Sequence, residues 1–325
     1  MGMHNDAMGI VLLLMANLLG LPVTTQTRPP APVIDYHQHL FSSAITNAGA
    51  TRPVVSAKEL VTLLDAAGIR KALVLSLAYQ YGNPNRPDVE NEYQKVRVEN
   101  DWTSEQVAQY PDRLVGFCSI NPLKDYALDE IARCGRDERL HRGLKLHFGN
   151  SDVDLSNRAH VARLKAVFAL ANTQRMAIVV HMRASVTMKR DYGANRARAF
   201  LDDVLPEAPD VPVQIAHLAG AGGYNDPGAD EVMGVFIDAI AKKDPRVRQL
   251  YFDVSGVAGL GNWRPRAAVI AARVGALGAE RVLYGTDGAG GPNPTPEQGW
   301  AAFRELPLTD AEFRTIASNV APYMK

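Results

Sequence analysis

Two histidines separated by one residue, His37 and His39, are the first side chains whose spacing suggests metal chemistry. Residues two apart on a β-strand point to the same side, so both imidazoles could reach one ion. The pair alone is weak evidence, but His181, His217 and Asp287 also follow short apolar runs. Nitrogen ligands with one carboxylate suit Zn²⁺, and Fe, Mn or Co are also compatible.

These residues need a scaffold that brings distant strand ends together. After Pro32, short runs rich in Val, Ile and Leu alternate with amphipathic stretches. The predicted strands are Val33–Tyr36, Lys71–Leu77, Leu114–Ile120, Gly143–His147, Ala177–His181, Val211–His217, Leu250–Val254 and Val282–Tyr284. The predicted helices are Ala57–Ala67, Glu90–Tyr110, Tyr126–Cys134, Ala159–Thr173, Ala194–Val204, Glu231–Lys242, Arg266–Leu277, Glu297–Arg304 and Asp310–Ser318.

Eight strands that alternate with helices predict an α/β fold, a (β/α)₈ TIM barrel. A doubly wound sheet is the alternative, but the first strand ends in His-Gln-His and not in a glycine-rich phosphate turn. The carboxyl ends of barrel strands meet on one face, where active sites lie. The metal-ligand candidates would therefore converge there, together with His147, which ends the fourth predicted strand.

A set of motifs resembles the amidohydrolase superfamily, in particular its amidohydrolase-2 branch. This branch includes aminocarboxymuconate semialdehyde decarboxylase and related metal-dependent hydrolases. The resemblance covers about residues 32–325. The matching segments are Val33–His39, Pro111–Phe117, Gly143–His147, Ala216–Gly220, Tyr251–Gly256, Tyr284–Asp287 and Asn319–Ala321.

The resemblance implies a role for each matching residue. His37, His39, His181 and Asp287 would hold one divalent metal ion, with Zn²⁺ as the first expectation. The ion would lower the pKa of a bound water and so generate a nucleophile. His217 would be the general base and would later return the proton, and Asp287 would share this catalytic proton transfer.

Lys145 on the fourth predicted strand leaves the metal count open. In dinuclear relatives a carboxylated lysine on this strand bridges two metals, and His181 and His217 would then hold the second ion. The resembled branch is usually mononuclear, so we expect one metal. A buried ion pair is the alternative role for Lys145.

Candidate substrate-binding residues are less specific. Arg183 follows the fifth strand and could bind a carboxylate with both arms of its guanidinium, or pair with an acid of the protein. His147 could contact substrate or orient a metal ligand. Trp263 lies on a predicted loop and could wall the substrate, as could Tyr79, Tyr81 and Tyr224, although each alone is more often a packing residue.

Composition restricts the partners. Lys plus Arg number 35 and Asp plus Glu number 35, so there is no excess positive charge for nucleic acid. We therefore expect a small-molecule substrate, and a homodimer is left open. The two cysteines, Cys118 and Cys134, show no metal-binding spacing, and we expect free buried thiols in preference to a disulfide.

The N-terminus differs from the rest of the chain. Residues 8–23 are apolar and uncharged, which suits the core of a secretory signal. We predict a signal-peptide-like leader over residues 1–27, a barrel domain over residues 28–325, and a secreted or periplasmic protein. An uncleaved membrane anchor, or a cytoplasmic protein with a mispredicted start, are the alternatives.

Three functions fit these features. The first expectation is a metal-dependent hydrolase of an amide, lactone or ester-like bond in a small molecule. The alternative is a metal-dependent non-oxidative decarboxylase (carboxy-lyase) of a small carboxylic acid, with aromatic acids among the candidates. A catalytically silent binding barrel is the third, and the intact set of ligand candidates argues against it.

Overall fold

The computed structural model describes residues 1, 30–47, 53–183, 190–290 and 293–325. Eight parallel strands pair in chain order and form the sheet of a (β/α)₈ barrel, as predicted. They are β1 Ile34–Gln38, β2 Lys71–Leu75, β3 Leu114–Ser119, β4 Gly143–His147, β5 Ala177–His181, β6 Val213–Ile215, β7 Leu250–Asp253 and β8 Val282–Leu283.

The helices lie between the strands and after the last one. They are α1 Ser43–Asn47, α2 Ala57–Ala67, α3 Glu92–Ala108, α4 Ala127–Cys134, α5 Arg158–Thr173, α6 Ala194–Ala199, α7 Pro227–Ala241, α8 Ala267–Leu277, α9 Pro296–Phe303 and α10 Asp310–Ser318. Side-chain caps define several of their first residues. Ser56, Thr295 and Thr309 each form a capping box, which satisfies amide groups that the first helical turn leaves unpaired.

Hydrogen bonds between the first and last strand regions close the barrel. The Tyr36 amide donates to the Tyr284 carbonyl at 2.8 Å, and the Asp287 amide donates to the His37 carbonyl at 2.7 Å. Closure therefore places Asp287 directly beside the histidine pair, although about 250 residues separate them along the chain.

The interior of the barrel is filled partly by the end of the chain. Tyr323 packs edge-on against Tyr36 and Phe117, with ring centroids 6.0 and 5.3 Å apart. Its hydroxyl also hydrogen-bonds to the Gln214 side chain. The Tyr36 hydroxyl accepts from the Ala321 amide at 2.7 Å. Residues near the C-terminus thus close the end of the barrel where the strands begin.

The sixth strand is shorter than predicted. It ends at Ile215, and the chain then turns through His217, Leu218 and Ala219, whose φ angles are 55°, 46° and 62°. Non-glycine residues rarely adopt this left-handed region. His217 therefore belongs to a strained turn after the strand, and the boundary predicted at His217 is wrong by two residues.

The two cysteines form a disulfide, so the expectation of free thiols is wrong. Cys118 on β3 and Cys134 at the end of α4 have Cα atoms 6.2 Å apart. A helix that packs back onto the strand before it brings two residues 16 apart in sequence within bonding range. The spacing of the two cysteines along the chain did not show that α4 packs back against β3.

The predicted leader, residues 1–27, falls almost wholly outside the described residues. Among the helices that the structure does describe, none combines the length and apolar character needed to cross a membrane.

Candidate metal centre

A cavity of about 350 Å³ opens at the carboxyl ends of the strands. Its lining contains the five histidines that the sequence placed at strand ends, with Lys145 and Asp287. The other described lining residues are Phe41, Ile45, Leu77, Tyr79, Gln80, Arg86, Asn150, Ala221, Gly222, Gly256, Leu260 and Asn293.

The five histidine rings form one continuous group. Ring centroids lie 5.3 Å apart for His37 and His39, and 4.6 Å apart for His37 and His217. They lie 4.9 Å apart for His181 and His217, and 3.9 Å apart for His147 and His181. The barrel thus brings these residues together at the carboxyl ends of its strands, as the sequence predicted.

Asp253 orients His37. Its Oδ2 lies 3.0 Å from His37 Nδ1, so this nitrogen carries the proton and Nε2 keeps its lone pair. The His217 amide donates to Asp253 Oδ1 at 3.0 Å, and Gln214 Nε2 donates to Oδ2 at 2.6 Å. Burial pushes the pKa of Asp253 upward, but attraction by His37 and the hydrogen bonds from the His37 ring and the His217 amide hold it well below its usual range.

Gln38, between the two histidines, ties β1 to the segment after β8. Its Nε2 donates to Asp35 Oδ2 at 2.7 Å and to Thr286 Oγ1 at 2.6 Å. Its Oε1 accepts from the Ala289 amide at 3.0 Å. Burial raises the pKa of Asp35 to about 6, although its hydrogen bonds with Gln38 and Thr286 oppose the rise. The network fixes the backbone that carries the histidine pair.

His39 is oriented by a backbone carbonyl. Its Nδ1 donates to the Leu75 carbonyl at 2.6 Å, which leaves the lone pair on Nε2. That Nε2 lies 3.7 Å from Asp287 Oδ1. Asp287 adopts a φ of 56°, and Asn293 Nδ2 donates to its carbonyl at 2.7 Å. The turn therefore holds the carboxylate beside His39.

His217 has the same tautomer for a different reason. Its Nδ1 lies 2.8 Å from both the carbonyl and the hydroxyl oxygen of Ser255. The Ser255 hydroxyl donates to Asp253 Oδ1, so both oxygens accept from His217 Nδ1–H. Nε2 is therefore unprotonated. Burial and the repulsion of His37 lower the pKa of His217 to about 4, so the ring is neutral near pH 7.

The ligand atoms of this group suit a divalent cation. Ligand atoms of His37, His217 and Asp287 all lie within 4.8 Å of one another. His181 Nε2 is buried and has no hydrogen-bond partner among the residues that the structure describes. A buried polar atom without a partner is costly, and a metal ion would supply one. The site thus offers the donor types that the sequence predicted, but the three ligand atoms that lie close together belong to His37, His217 and Asp287, and the ligand roles of His39 and His181 stay predictions.

His147 differs from the other histidines. Its Nδ1 accepts from the Asn150 amide at 3.1 Å, so its proton lies on Nε2. The ring stacks on His181 and lies 5.1 Å from the Tyr79 ring. Burial holds its pKa well below the usual range. The neutral ring offers a hydrogen-bond donor, as the predicted substrate contact requires.

Lys145 lies among the ligand candidates. Its side chain is 1% exposed and its Nζ lies 3.3 Å from His37 Nε2. Burial lowers its pKa to about 8, although Asp253 and Asp287 oppose the shift. The amine is therefore easier to deprotonate than an ordinary lysine. Its carboxylation stays the alternative to the expected single metal ion.

Four predicted substrate residues do not line the described cavity: Arg183, Trp263, Tyr81 and Tyr224. Arg183 Nε lies 2.5 Å from Asp226 Oδ2, and its guanidinium lies over the Tyr192 ring at 4.6 Å. This matches the alternative in which the arginine pairs with an acid of the protein. Trp263 is buried, and the Arg264 guanidinium lies over its ring, 5.0 Å from the centroid. Their contacts with substrate stay predictions.

Three contributors to the site were missed from the sequence. Asp253 and Ser255 belong to the Phe-Asp-Val-Ser-Gly segment that ends the seventh strand, and their place at a strand end was the available signal. Arg86 lies in the long loop after β2 and lines the cavity. No local pattern in that loop distinguishes it from a surface arginine.

A barrel whose strand ends gather five buried histidines and a carboxylate contains the donor atoms that a metal-dependent barrel enzyme needs. The profile of the amidohydrolase family matches residues 34–321, and the chain belongs to that family. This confirms the resemblance seen in the sequence motifs. The family is metal-dependent.

Several solved structures share the fold. The 2,6-dihydroxybenzoate decarboxylase from Rhizobium is 17% identical, with a TM-score of 0.61 and coverage of 89% of this chain and 97% of that one. A probable 2-pyrone-4,6-dicarboxylic acid hydrolase from Acinetobacter baumannii is 17% identical (TM-score 0.57; coverage 88% and 96%). An amidohydrolase from Burkholderia multivorans with bound zinc is 13% identical (TM-score 0.58; coverage 88% and 96%). A search of curated proteins found no match.

Proposed function

We propose that the protein is a metal-dependent hydrolase that cleaves an amide, lactone or ester-like bond of a small molecule. The observation that carries this proposal is the tautomer of His217. Its Nδ1 proton is held by Ser255, and its Nε2 lone pair belongs to the group that contains His37 and Asp287. A neutral imidazole with a free lone pair suits a general base that deprotonates water.

One divalent ion, with Zn²⁺ as the first candidate, would be held by His37, His39, His181 and Asp287. When bound, such an ion supplies Lewis-acid activation of a water molecule. The protein's contribution is orientation. Asp253 and the Leu75 carbonyl hold the Nδ1 atoms of His37 and His39, so that both Nε2 atoms keep a lone pair for coordination.

The remaining residues move and place protons. His217 Nε2 would take a proton from the attacking water, and the charged ring would be stabilised by the Ser255 carbonyl and by Asp253. The same nitrogen would then return the proton to the leaving group, and Asp287 would share this transfer. His147 Nε2–H would donate a hydrogen bond to a substrate oxygen.

A carboxy-lyase acting on a small aromatic acid is the second candidate. Two observations favour it: the likeness in fold to a 2,6-dihydroxybenzoate decarboxylase, and the aromatic surface formed by Tyr79 and His147 beside the ligand histidines. In this reaction His217 would help to protonate the substrate carbon, and no oxygen from water would enter the product.

The decisive experiment combines metal analysis with isotope labelling. We would measure bound metal in the purified chain, then screen lactones, amides and aromatic carboxylates in isotopically labelled water. We expect one ion per chain and label in the product. Release of carbon dioxide without label would overturn the hydrolase in favour of the carboxy-lyase.

The same metal measurement distinguishes a mononuclear site from a dinuclear one. Two ions per chain would favour a carboxylated Lys145 and make His217 a ligand. If no divalent ion binds, and His37→Ala and Asp287→Asn behave like wild type, both enzyme proposals fail and a catalytically silent barrel is favoured.

We also propose that the protein is secreted or periplasmic. Support comes from the signal-like leader and from the Cys118–Cys134 disulfide, because disulfides persist mainly in oxidising compartments. Cell fractionation followed by mass measurement tests this. We expect the exported form to lack the leader and to contain no free thiol. An intact, cytosolic chain with two free thiols would contradict export.

A further inference from the structure

We propose that Arg86 binds the anionic group of the substrate, so that the natural substrate carries a carboxylate away from the reacting bond. The inference rests on the proposed function, because it takes the cavity to be the active site. Arg86 belongs to the loop between β2 and α3 and lines the cavity together with the metal-ligand candidates.

The guanidinium of Arg86 contains a donor that no described residue satisfies. Its Nη1 is shielded from solvent and meets no hydrogen-bond acceptor within the described ranges. Leaving a buried donor unpaired costs free energy, and charged donors cost more than neutral ones. A fork-shaped guanidinium is suited to a carboxylate, which can accept two parallel hydrogen bonds.

Arg183, the arginine that the sequence suggested for substrate binding, is already paired with a carboxylate of the protein. Arg183 Nε lies 2.5 Å from Asp226 Oδ2, and Arg183 does not line the described cavity. Of the described residues that do line it, Lys145 lies beside His37, and the acidic Asp287 lies beside His39. Arg86 is therefore the one lining cation in the described part of the wall that lies outside the histidine group.

The rest of the wall suits a compact substrate. Apolar side chains of Phe41 and Leu77 share the lining with the amides of Asn150 and Asn293. A cavity of about 350 Å³ holds a small molecule. Apolar and amide walls with one permanent cation favour a small acid over a neutral substrate or a large polymer.

The test uses two metal-binding probes that differ only in charge. One is a benzohydroxamate that carries a carboxylate on its ring, and the other carries an uncharged carboxamide at the same position. The hydroxamate would anchor both probes at the metal, so their difference reports the anionic group. Affinities would be measured by calorimetry on the zinc-loaded full chain, with meta and para isomers of each probe.

We expect wild type to bind the carboxylate probe about 10- to 100-fold more tightly than the carboxamide probe. Arg86→Gln should abolish this preference and leave carboxamide binding and zinc stoichiometry unchanged. Arg86→Lys should keep part of it. Arg136→Gln removes the same charge from the segment before β4, at the opposite end of the barrel, and should behave like wild type.

Two results would overturn the proposal: no preference for the carboxylate in wild type, or a preference that survives in Arg86→Gln. Failure to bind any divalent ion would instead refute the proposed function. The same titration without metal, using the carboxylate and carboxamide probes, would still decide the role of Arg86.

Discussion

The two ends of the barrel treat buried polar groups differently. At the end where the strands finish, His181 Nε2, Arg86 Nη1 and Glu99 Oε1 are buried without a hydrogen-bond partner among described residues. At the opposite end, the Tyr36 hydroxyl both accepts from Ala321 and donates to Asn319. Of these three residues, His181 and Arg86 line the cavity, where a ligand would meet them, whereas the Tyr36 hydroxyl is satisfied within the protein. This contrast predicts that the two ends contribute differently to function and to stability.

Removing the predicted metal ligand His181 from the cavity should have the largest effect on activity. We expect His181→Ala to lower turnover by about 1000-fold or more, because a catalytic metal contributes several kcal/mol to the transition state. Unfolding of the metal-free protein should be unchanged or slightly less favourable, since the lost nitrogen has no described partner. Activity assays and thermal unfolding in chelator check both parts. A strongly destabilised metal-free variant would mean that His181 is structural.

Removing the Tyr323 ring at the opposite end of the barrel should have the reverse result, with a loss of stability and no change in metal binding. Tyr323→Ala should lower the free energy of unfolding by about 3 to 5 kcal/mol, because it empties a site filled by a buried ring. Zinc stoichiometry should stay the same. Denaturant unfolding measures the loss. Tyr323→Phe, which removes only the hydroxyl bonded to Gln214, should cost less. Equal losses of stability and metal affinity would show that the two ends are coupled.

Glu99 makes the stability of the folded protein depend on pH. Burial raises its pKa from 4.5 to about 7, although the Ser42 hydroxyl donates to it at 2.6 Å. The folded state therefore binds the proton more tightly than the unfolded chain, and stability declines as pH rises from about 4.5 to 7.

Glu99→Gln should remove this penalty. The variant should gain up to about 3 kcal/mol over wild type at pH 7 and above, and little below pH 4.5. Unfolding of both proteins across this pH range measures the difference. A gain that does not depend on pH would contradict the assignment to ionisation of Glu99.

Asp253→Asn should have the smallest effect of the four. The amide keeps the shape of the side chain but removes the charge that holds the proton on His37 Nδ1. We expect metal affinity to fall by about 10- to 100-fold, which competition with a chelator dye would measure. Unchanged affinity would show that the carboxylate serves packing and not the ligand.

The sequence predicted the carboxyl ends of the strands well, because the candidate site residues there follow recognisable apolar strand patterns. β4 and β5 were predicted with their observed bounds, and His147 and His181 end them. The order of the strands then placed the other histidines and Asp287 beside them. Parallel barrel geometry accounts for most of this success, since it fixes where each strand ends relative to its neighbours.

What the sequence did not predict depends on contacts between segments that are distant along the chain. The left-handed turn at His217 carries no local signature, because it is held by Asp253 and Ser255 from β7 and the residues that follow. The disulfide depends on how α4 packs against β3. Arg86 is distinguished only by the absence of a described partner for its Nη1, which no sequence pattern records.

The bond between Ala321 and Tyr36 joins residues 285 positions apart. During synthesis β1 is made first, yet its interior face is covered only after nearly the whole chain has emerged. Such non-local contacts slow folding, and a nascent chain would spend its synthesis with an open barrel. If the protein is exported as proposed above, this late closure favours translocation, because a chain whose barrel has not yet closed can still cross a membrane in an unfolded state.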